Sequence, residues 1–248
     1  DNRDSIFEIG SVTKVFTSAI LSHYNINKQV KLSDKINKYL SFKLPVKITF
    51  QQLSNHTSGL PRLPYDFFNH VKNQEDPYWE YPKDIFMKYV RNELELENKS
   101  GTHYVYSNMG AAFLAYCLEQ IENKPYEDLI KDLILAPFKM TSTTLSNDQY
   151  TVPGHDTEGK EVPNWHWHSP FFATGALRSN VTDMAKFIRA YCNDDNQFLQ
   201  QLSEPTFVVN EGLSLGLAIH LIKTEAGKLV SFHNGRTGGF TSSMIIDL

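Results

Sequence analysis

The most regular feature of the chain is a helical spacing of apolar residues. Beginning at residue 12, apolar side chains recur every three or four positions, at Val12, Val15, Phe16, Ala19 and Ile20. The same spacing returns over residues 111–121, 126–135 and 182–191. Because this period places the apolar side chains on one face of an α-helix, the pattern predicts four helices.

Toward the end of the chain the pattern changes to short runs that are typical of strands. Residues 213–223, 229–234 and 240–248 form three such runs, with the turn sequence Glu225-Ala226-Gly227-Lys228 after the first. They predict an antiparallel meander of three strands. Between residues 32 and 170, helical segments alternate with long loops at 58–64, 76–82 and 151–170. Loops of that length often form the walls of functional sites.

The composition indicates a folded protein with an ordinary core. The 248 residues are 41% hydrophobic and 21% charged, which excludes disordered, collagen-like and disulfide-scaffold classes. The formal charge of −4 argues against nucleic acid and anionic membranes as partners. The longest apolar stretch, residues 109–118, is far shorter than the roughly 20 residues that span a bilayer, so no transmembrane segment is expected. Cys117 and Cys192 are expected to be buried thiols.

Ser11 and Lys14 are the first candidates for chemistry. Ser11 stands directly before the first apolar stripe, where a serine is usually a helix cap. Lys14 follows three positions later, and side chains at that spacing on a helix are neighbours, with Cβ atoms about 5–6 Å apart. Lys14 is the only charged residue between Val12 and Ser22, so we expect the helix to be enclosed on both sides. A desolvated lysine has a lowered pKa and can act as a base toward the serine hydroxyl.

A second candidate is Tyr106-Ser107-Asn108, directly before the apolar stretch that begins at Met109. Alternation along an extended chain puts Tyr106 and Asn108 on the same side. The ordinary interpretation of these residues is a packed aromatic ring and a helix cap at Asn108.

A third candidate is His233-Asn234-Gly235-Arg236, where a predicted strand runs into a glycine-rich turn. Gly235 permits the close approach of a ligand, and alternation puts Asn234 and Arg236 on the same side. The ordinary interpretation is a hairpin turn with a surface histidine.

Together and in this order, Ser-x-x-Lys, Tyr-x-Asn and His-x-Gly resemble the class C β-lactamase family of penicillin-recognising serine hydrolases. The resemblance covers nearly the whole chain and includes residues 7–14 (FEIGSVTK), 53–61 (LSNHTSGLP), 106–108 (YSN), 137–141 (PFKMT) and 175–179 (GALRS). Residues 60–64, 162–165 and 175–179 look similar to the carboxypeptidase/endopeptidase branch, which acts on cell-wall peptides and binds or slowly hydrolyses β-lactams.

The resemblance implies a role for each motif residue. Ser11 would be the acylated nucleophile, Lys14 its activating base, Tyr106 the second proton-transfer group and Asn108 the holder of the substrate amide. His233 takes a place where many β-lactamases of the family carry lysine and its D-amino-acid peptidases often carry histidine. We therefore expect a hydrolase of D-amino-acid peptides or β-lactams. We also expect Tyr106, Ser11 and Lys14 to form one hydrogen-bonded cluster, with His233 on the opposite wall of the cleft.

Acyl transfer also requires donors for the developing oxyanion. The backbone N–H groups of Ser11 and Arg236, beside Gly235, are the candidates. The Arg236 side chain, with Asn234, would capture a substrate carboxylate, since a guanidinium suits bidentate binding of that group. No cofactor is expected. The partners would be a small-molecule or peptidoglycan-peptide substrate and β-lactams, which implies a periplasmic, envelope-attached or secreted protein.

The fold class implied by the resemblance is α/β, with an antiparallel sheet covered by helices and an inserted, mostly helical region. Residues 1–248 would form a single β-lactamase-like domain, with 1–24 and 171–248 in the α/β part and 25–170 in the mostly helical part. Family members usually begin with a strand pair and end with a helix packed on the sheet. Since this sequence starts about ten residues before Ser11 and ends within a strand, we expect those terminal elements to be absent.

Three alternatives remain at this point. A metal hydrolase would use His155, His166 and His168, but the loop offers no matching carboxylate cluster, and we expect residues 165–168 to pack along the cleft rim. A non-hydrolytic penicillin-binding protein would be acylated at Ser11 and never released. A carboxylesterase on the same scaffold would use the same residues on short acyl esters.

Overall fold

The computed structural model of the protein describes residues 2–145 and 151–248, and it has a helix at each predicted position. In chain-order numbering these helices are α1 (Thr13–Ile26), α5 (Asn108–Glu122), α6 (Tyr126–Ile130) and α8 (Val181–Tyr191). The four predicted helices are therefore confirmed. The third ends earlier than the periodicity predicts, at Ile130, and continues as a π-helical turn over Lys131–Leu135.

Shorter helices connect these elements. They are α2 (Phe50–Ser54), α3 (Phe67–His70), α4 (Lys83–Asn92), α7 (Phe172–Gly175) and α9 (Gln197–Gln200). Single turns of 3₁₀-helix occupy Gly10–Val12, Ile36–Tyr39 and Gln201–Ser203. Half of these short elements lie in the region, residues 32–170, that the sequence predicts as helices alternating with loops.

The main sheet is antiparallel and has five strands in sequential order. They are β5 (Phe207–Asn210), β6 (Leu213–Leu215), β7 (His220–Lys223), β8 (Leu229–Arg236) and β9 (Thr241–Asp247). The prediction of three strands is therefore wrong. The run 213–223 is two strands, because the chain turns after Leu215. A Cβ atom on Gly216 would lie 2.0 Å from the Leu202 carbonyl oxygen, so only glycine fits this turn.

Two small antiparallel pairs complete the strands that the structure describes. β1 (Phe7–Glu8) pairs with β4 (Arg178–Ser179), and β2 (Gly154–His155) pairs with β3 (Glu161–Val162). The β1–β4 pair brings the segment directly before Ser11 against the segment 175–179. Both segments belong to stretches on which the family resemblance rests.

Helix α1 is the centre of the core. Every residue from Val12 to Ser22 is buried, and the helix contacts α5, α7 and α9. Its buried hydroxyls are hydrogen-bonded, Thr17 to Tyr126 at 2.7 Å and Ser18 to Ser54 at 2.7 Å. The expectation that this helix is enclosed on both sides is confirmed.

The cysteine prediction is half right. Cys117 lies in α5 and is buried, but Cys192 is exposed and lies just beyond the last residue of α8. In the part of the chain that the structure describes, no helix has the length and apolarity to cross a membrane.

Candidate active site

Ser11 lies in a tight turn that strand β8 contacts directly. Its 3₁₀ turn, Gly10–Val12, immediately precedes α1, and Gly10 has a φ of +49°. A Cβ on Gly10 would lie 2.6 Å from the Arg236 nitrogen, and one on Gly235 would lie 2.0 Å from the Ile9 carbonyl oxygen and 2.9 Å from the Ser11 nitrogen. The absence of both side chains lets the strand reach the turn. The backbone nitrogens of Ser11 and Arg236 consequently lie at the same junction.

Lys14 lies one helical turn beyond Ser11 and is only 1% exposed. Its Nζ donates to Ser11 Oγ at 3.0 Å and to the Thr174 carbonyl oxygen at 2.6 Å. Burial holds the pKa of Lys14 well below its ordinary value, and the positive charge of Arg62 lowers it further. Neither hydrogen-bond partner is a carboxylate. The environment therefore favours the neutral amine, which is the form that accepts a proton.

Tyr106 packs beside this pair. The centre of its ring lies 4.9 Å from Lys14 Nζ. Among the described residues, the buried Tyr106 hydroxyl has no hydrogen-bond partner. Burial raises the pKa of Tyr106, and the nearby Ser11 opposes that rise. The three groups expected to form one cluster therefore lie together: Ser11 and Lys14 are bonded at 3.0 Å, and the Tyr106 hydroxyl is close enough to Ser11 for that side chain to lower the pKa of Tyr106.

The start of α5 positions Tyr106. Ser107 is the helix cap, because its Oγ accepts from the Gly110 N–H at 2.8 Å, and the same Oγ donates to the Pro61 carbonyl at 2.6 Å. The Arg62 carbonyl accepts the N–H groups of Asn108 at 2.9 Å and Met109 at 3.1 Å. The cap assigned to Asn108 from the sequence is therefore wrong. Hydrogen bonds thus connect segment 60–62 to the motif that carries Tyr106.

Asn108 turns away from the cleft. It is 7% exposed, its Nδ2 donates to the Tyr78 hydroxyl at 2.7 Å, and its Oδ1 has no partner in residues 2–145 and 151–248. The prediction that Asn108 and Tyr106 point to the same side is wrong, because Asn108 is already the first residue of α5. Alternation applies to extended chain and ends where the helix begins.

His233 belongs to a layer of three imidazoles, which we call the histidine layer: the buried His56 and His233 and the half-buried His220. His233 is 1% exposed, and its Nδ1 lies 2.8 Å from the Asn234 carbonyl oxygen. Burial, Lys14 and His220 lower the pKa of His233 to about 3, so the ring is neutral at pH 7. The surface location in the ordinary interpretation is wrong. The ring lies behind Tyr106, with 6.3 Å between the ring centres, rather than on the opposite wall.

The other two members of the layer, His56 and His220, have no role predicted from the sequence. His56 Nδ1 accepts from the Ser107 N–H at 3.2 Å, and its ring lies 4.4 Å from that of Tyr106. Burial, followed by the charge of Lys14, holds the pKa of His56 well below its ordinary value. His220 Nε2 lies 2.7 Å from the Tyr104 hydroxyl. The position of His56 inside the motif 53–61 was the available signal, but nothing in the sequence singles out His220.

These residues border an open cleft of about 700 Å³. Arg62 and Tyr106 line it from the helical side, while His220, Asn234 and Arg236 line it from the sheet, with Ser11 between them. Asn234 and Arg236 are both exposed on one face of β8, as strand alternation predicts. Arg62 also belongs to the stretch 60–64 on which the family resemblance rests, but no role was predicted for it from the sequence. Its position next to Pro61, in a family motif, was the signal.

Comparison with known proteins identifies the family. A family model described as Beta-lactamase matches residues 2–248. The chain belongs to the beta-lactamase family. The family is one of serine hydrolases, and a penicillin-binding protein and a D-alanyl-D-alanine-carboxypeptidase/endopeptidase are among the relatives of this chain.

Two curated relatives of this beta-lactamase-family chain are informative. Beta-lactamase-like protein 2 of Dictyostelium discoideum is 25% identical over 98% of the chain and 47% of its own length. The D-alanyl-D-alanine-carboxypeptidase/endopeptidase AmpH of Escherichia coli K12 is 29% identical over 77% of the chain and 50% of its own length. The chain therefore spans about half the length of these relatives.

Solved structures establish the fold. The octameric penicillin-binding protein homologue from Pyrococcus abyssi superimposes with a TM-score of 0.81 at 23% identity, over 99% of this chain and 60% of the other. The beta-lactamase/D-alanine carboxypeptidase from Yersinia pestis, complexed with citrate, superimposes with a TM-score of 0.80 at 24% identity, over 98% and 75%. The expected β-lactamase/transpeptidase-like α/β fold is confirmed.

In this beta-lactamase-family chain, residues 165–168 lie behind the site. The Glu8 carboxylate accepts from the Trp165 backbone N–H at 2.9 Å and from Arg178 at 3.2 Å, and Arg178 also donates to the Trp165 carbonyl at 2.7 Å. Trp167 stacks on Tyr78, with 4.2 Å between ring centres. The expected position along the cleft rim is wrong, because these indoles pack against Tyr78 rather than line the cleft.

The histidines of this loop have other contacts. His166 Nδ1 lies 2.6 Å from an Asp76 carboxylate oxygen, His168 stacks on Trp79, and His155 lies in β2. In residues 2–145 and 151–248, no group of three or more histidine, cysteine, aspartate or glutamate side chains converges as metal ligands. The structure thus gives the metal-hydrolase alternative no ligand set to build on.

Proposed function

We propose that this protein hydrolyses amide bonds of D-amino-acid peptides and β-lactams through an acyl-enzyme on Ser11. The observation that carries the proposal is Lys14, which is buried, has a lowered pKa and lies 3.0 Å from Ser11 Oγ. A neutral amine at hydrogen-bond distance from a hydroxyl is the arrangement that activates a serine nucleophile. An ordinary cap serine would have no need of a desolvated lysine beside it.

In the first half of the reaction, Lys14 takes the proton from Ser11 Oγ as that oxygen attacks the carbonyl carbon. The backbone N–H groups of Ser11 and Arg236 stabilise the resulting oxyanion. Tyr106 gives its proton to the leaving nitrogen, the carbon–nitrogen bond breaks, and the Lys14 ammonium reprotonates the tyrosinate. The raised pKa of Tyr106 supports this role, since it keeps the phenol protonated until the nitrogen needs the proton.

In the second half, water attacks the ester carbonyl and transfers a proton to Lys14. The carbon–oxygen bond to Ser11 breaks, Ser11 Oγ recovers that proton, and a carboxylic acid is released. Deacylation therefore uses the same base, Lys14, as acylation does. The histidine layer takes no proton in this scheme, and His233 would act by supporting Tyr106 from behind.

The substrate class follows from the charges in the cleft. His233 is neutral and buried, so it cannot supply the positive charge that a lysine would offer to a substrate carboxylate. Arg236, exposed beside Asn234, is the group that would bind the carboxylate of a peptide ending in a free D-amino acid. The similarity to a D-alanyl-D-alanine carboxypeptidase/endopeptidase supports this choice. Such substrates would place the protein in the periplasm, on the envelope or outside the cell.

A carboxylesterase is the second candidate, and the position of Asn108 favours it. The Asn108 Nδ2 is bonded to Tyr78 and Asn108 is not among the described residues that line the cleft, so the expected contact to the amide group of a peptide substrate is not in place. An ester has no N–H group to satisfy. Comparison of initial rates on a D-alanyl-D-alanine peptide and on a short acyl ester distinguishes the two candidates.

Mass spectrometry after exposure to benzylpenicillin tests the proposal. We expect a stoichiometric adduct on the native protein and none on Ser11→Ala, which should remain folded because the Ser11 side chain caps neither its 3₁₀ turn nor α1. Ser41→Ala, at an exposed position, is the matched control and should be acylated normally. An adduct on Ser11→Ala would contradict the assignment of the nucleophile. Loss of the adduct with time would show deacylation, whereas a permanent adduct would indicate a penicillin-binding protein that does not turn over.

A further inference from the structure

The cleft contains two exposed guanidinium groups on its two walls. Arg236 is carried by β8, and Arg62 by the loop between α2 and α3. We propose that Arg62 forms a second anion-binding position, so that the preferred acyl donors carry one carboxylate for Arg236 and another, in the acyl portion, for Arg62. This inference rests on the proposed function and assigns a specificity-determining role to Arg62.

The backbone of Arg62 is held firmly in place. Its carbonyl oxygen accepts the first two N–H groups of α5, and the preceding carbonyl, of Pro61, accepts from Ser107 Oγ. These bonds join Arg62 to the motif that carries Tyr106. The base of the Arg62 side chain therefore keeps its position relative to the reacting groups, which a specificity contact requires.

The guanidinium group is positioned but retains free donors. Its central carbon lies 5.3 Å from the centre of the Tyr106 ring. An arginine stacked on an aromatic face keeps the N–H groups at its edge available for a planar anion. No ion pair is found between Arg62 and a carboxylate in the part of the chain that the structure describes. The group is thus ready for an anion that comes with the substrate.

The charge of the cleft is opposite to that of the whole chain. The protein has a formal charge of −4, yet no aspartate or glutamate is among the described residues that line the cleft. Two arginines within a cleft attract anions to it and raise their local concentration. Arg62 is not needed to favour the neutral form of Lys14, because burial is the larger cause of the lowered pKa of Lys14. Binding an anion is a use of Arg62 that this charge pattern supports directly.

Two penicillins that differ by one carboxylate provide the test. Benzylpenicillin has a single carboxylate, on its ring system, and α-carboxybenzylpenicillin has a second one on the acyl side chain. The measured quantity is the ratio of their second-order acylation rate constants, dianion over monoanion. A charge-assisted hydrogen bond is worth about 1.5–3 kcal/mol, so Arg62→Ala should lower this ratio about 10- to 150-fold.

The ratio removes the main confounding effect. Loss of the Arg62 charge raises the pKa of Lys14 and slows both penicillins alike, which leaves the ratio unchanged. Arg62→Lys keeps the charge but loses bidentate geometry, so its ratio should lie between those of the native protein and Arg62→Ala. Arg189→Ala removes the same charge from an exposed position on α8 and should keep the native ratio.

Each possible result of this experiment either supports or overturns the second anion-binding position. A ratio that falls in Arg62→Ala and is kept in Arg189→Ala supports the second anion position. A ratio unchanged in Arg62→Ala overturns it, even if both rates fall, because Arg62 would then share one carboxylate with Arg236 or only tune Lys14. Absence of both a covalent adduct and hydrolysis of either penicillin with the native protein would overturn the proposed function itself, and the inference with it.

Discussion

Two buried basic side chains lie on either side of the Ser11 turn, and only one of them is paired with a carboxylate. Lys14 is 1% exposed and bonded to a hydroxyl and a carbonyl, whereas Arg178 is 2% exposed and paired with the Glu8 carboxylate at 3.2 Å. Arginine stays charged in proteins, so its burial needs a counter-ion. Lysine can lose its proton instead. The comparison shows that the same degree of burial yields a structural ion pair at one position and a base at the other.

The two buried groups also differ in how they make the folding stability depend on pH. The pKa of Lys14 in the folded chain is lower than its ordinary value of 10.5, so the unfolded chain binds this proton more tightly. Stability is therefore lost as the pH falls from 10.5 through the folded pKa, and at pH 7 Lys14 destabilises the fold. The Arg178 pair has a penalty of the opposite pH sense, because burial raises the pKa of Glu8 above its ordinary value of 4.5 and stability is lost as the pH rises from 4.5 through the folded pKa. A base and an ion pair can thus be distinguished by what their removal does.

The largest effect is expected for Lys14→Met, which removes the base and keeps the apolar volume. Acylation by benzylpenicillin should slow by about 10²- to 10⁴-fold, because general base catalysis is lost. Stability at pH 7 should rise by about 1 kcal/mol or more, since an uncompensated buried amine is removed. Stopped-flow kinetics and calorimetry measure the two quantities. A variant that loses stability would indicate that Lys14 is a structural group like Arg178.

Next in size is Glu8→Gln, which leaves Arg178 buried without its counter-ion. Breaking such a pair costs about 3–5 kcal/mol. At roughly 2–4 °C per kcal/mol for a chain of this size, the melting temperature should fall by about 6–20 °C. Glu158→Gln, at an exposed position, is the matched control and should melt like the native protein.

The double variant Glu8→Gln/Arg178→Met sharpens the same comparison. If the loss in Glu8→Gln comes from the unpaired arginine, removing Arg178 as well should restore part of the stability. A double variant that is less stable than Glu8→Gln would show that Arg178 contributes mainly through its bond to Trp165. Denaturant unfolding of the single and double variants measures the difference.

The smallest effect concerns His233 of the histidine layer, whose ring is buried like Lys14 and also neutral. The pKa of His233 falls from 6.5 in the unfolded chain to about 3 in the folded chain. The stability of the neutral ring is complete above pH 6.5 and is lost as the pH falls toward 3. Between pH 6.5 and pH 4, His233→Gln should therefore lose less stability than the native protein does. The difference between the two slopes should be at most about 1.4 kcal/mol per pH unit.

Chemical unfolding at a series of pH values tests this prediction. His103→Gln, at an exposed position, is the control and should follow the native pH dependence. Equal slopes for His233→Gln and the native protein would contradict the assignment of a depressed pKa to His233.

Much of the site could be predicted from short-range patterns. The spacing of Ser11 and Lys14 needs only the helical repeat to bring the two side chains together, and the observed separation of 3.0 Å agrees with it. The shared face of Asn234 and Arg236 needs only strand alternation. The same reasoning gave wrong predictions for Asn108 and for the run 213–223. The spacing of side chains within one element does not indicate where that element ends and the next begins.

What the sequence determined by itself was therefore local: which segments are helical, which side chains are neighbours along one element, and which family the motifs resemble. Only the tertiary structure decided that Arg62 stacks on Tyr106, that three imidazoles meet behind it, and that Arg178 is paired while Lys14 is not. Those contacts join residues tens to hundreds of positions apart, and Arg178 lies 170 residues from Glu8. Side-chain periodicity sets directions within one element, whereas the packing of elements against each other sets which charges are buried together and which remain alone.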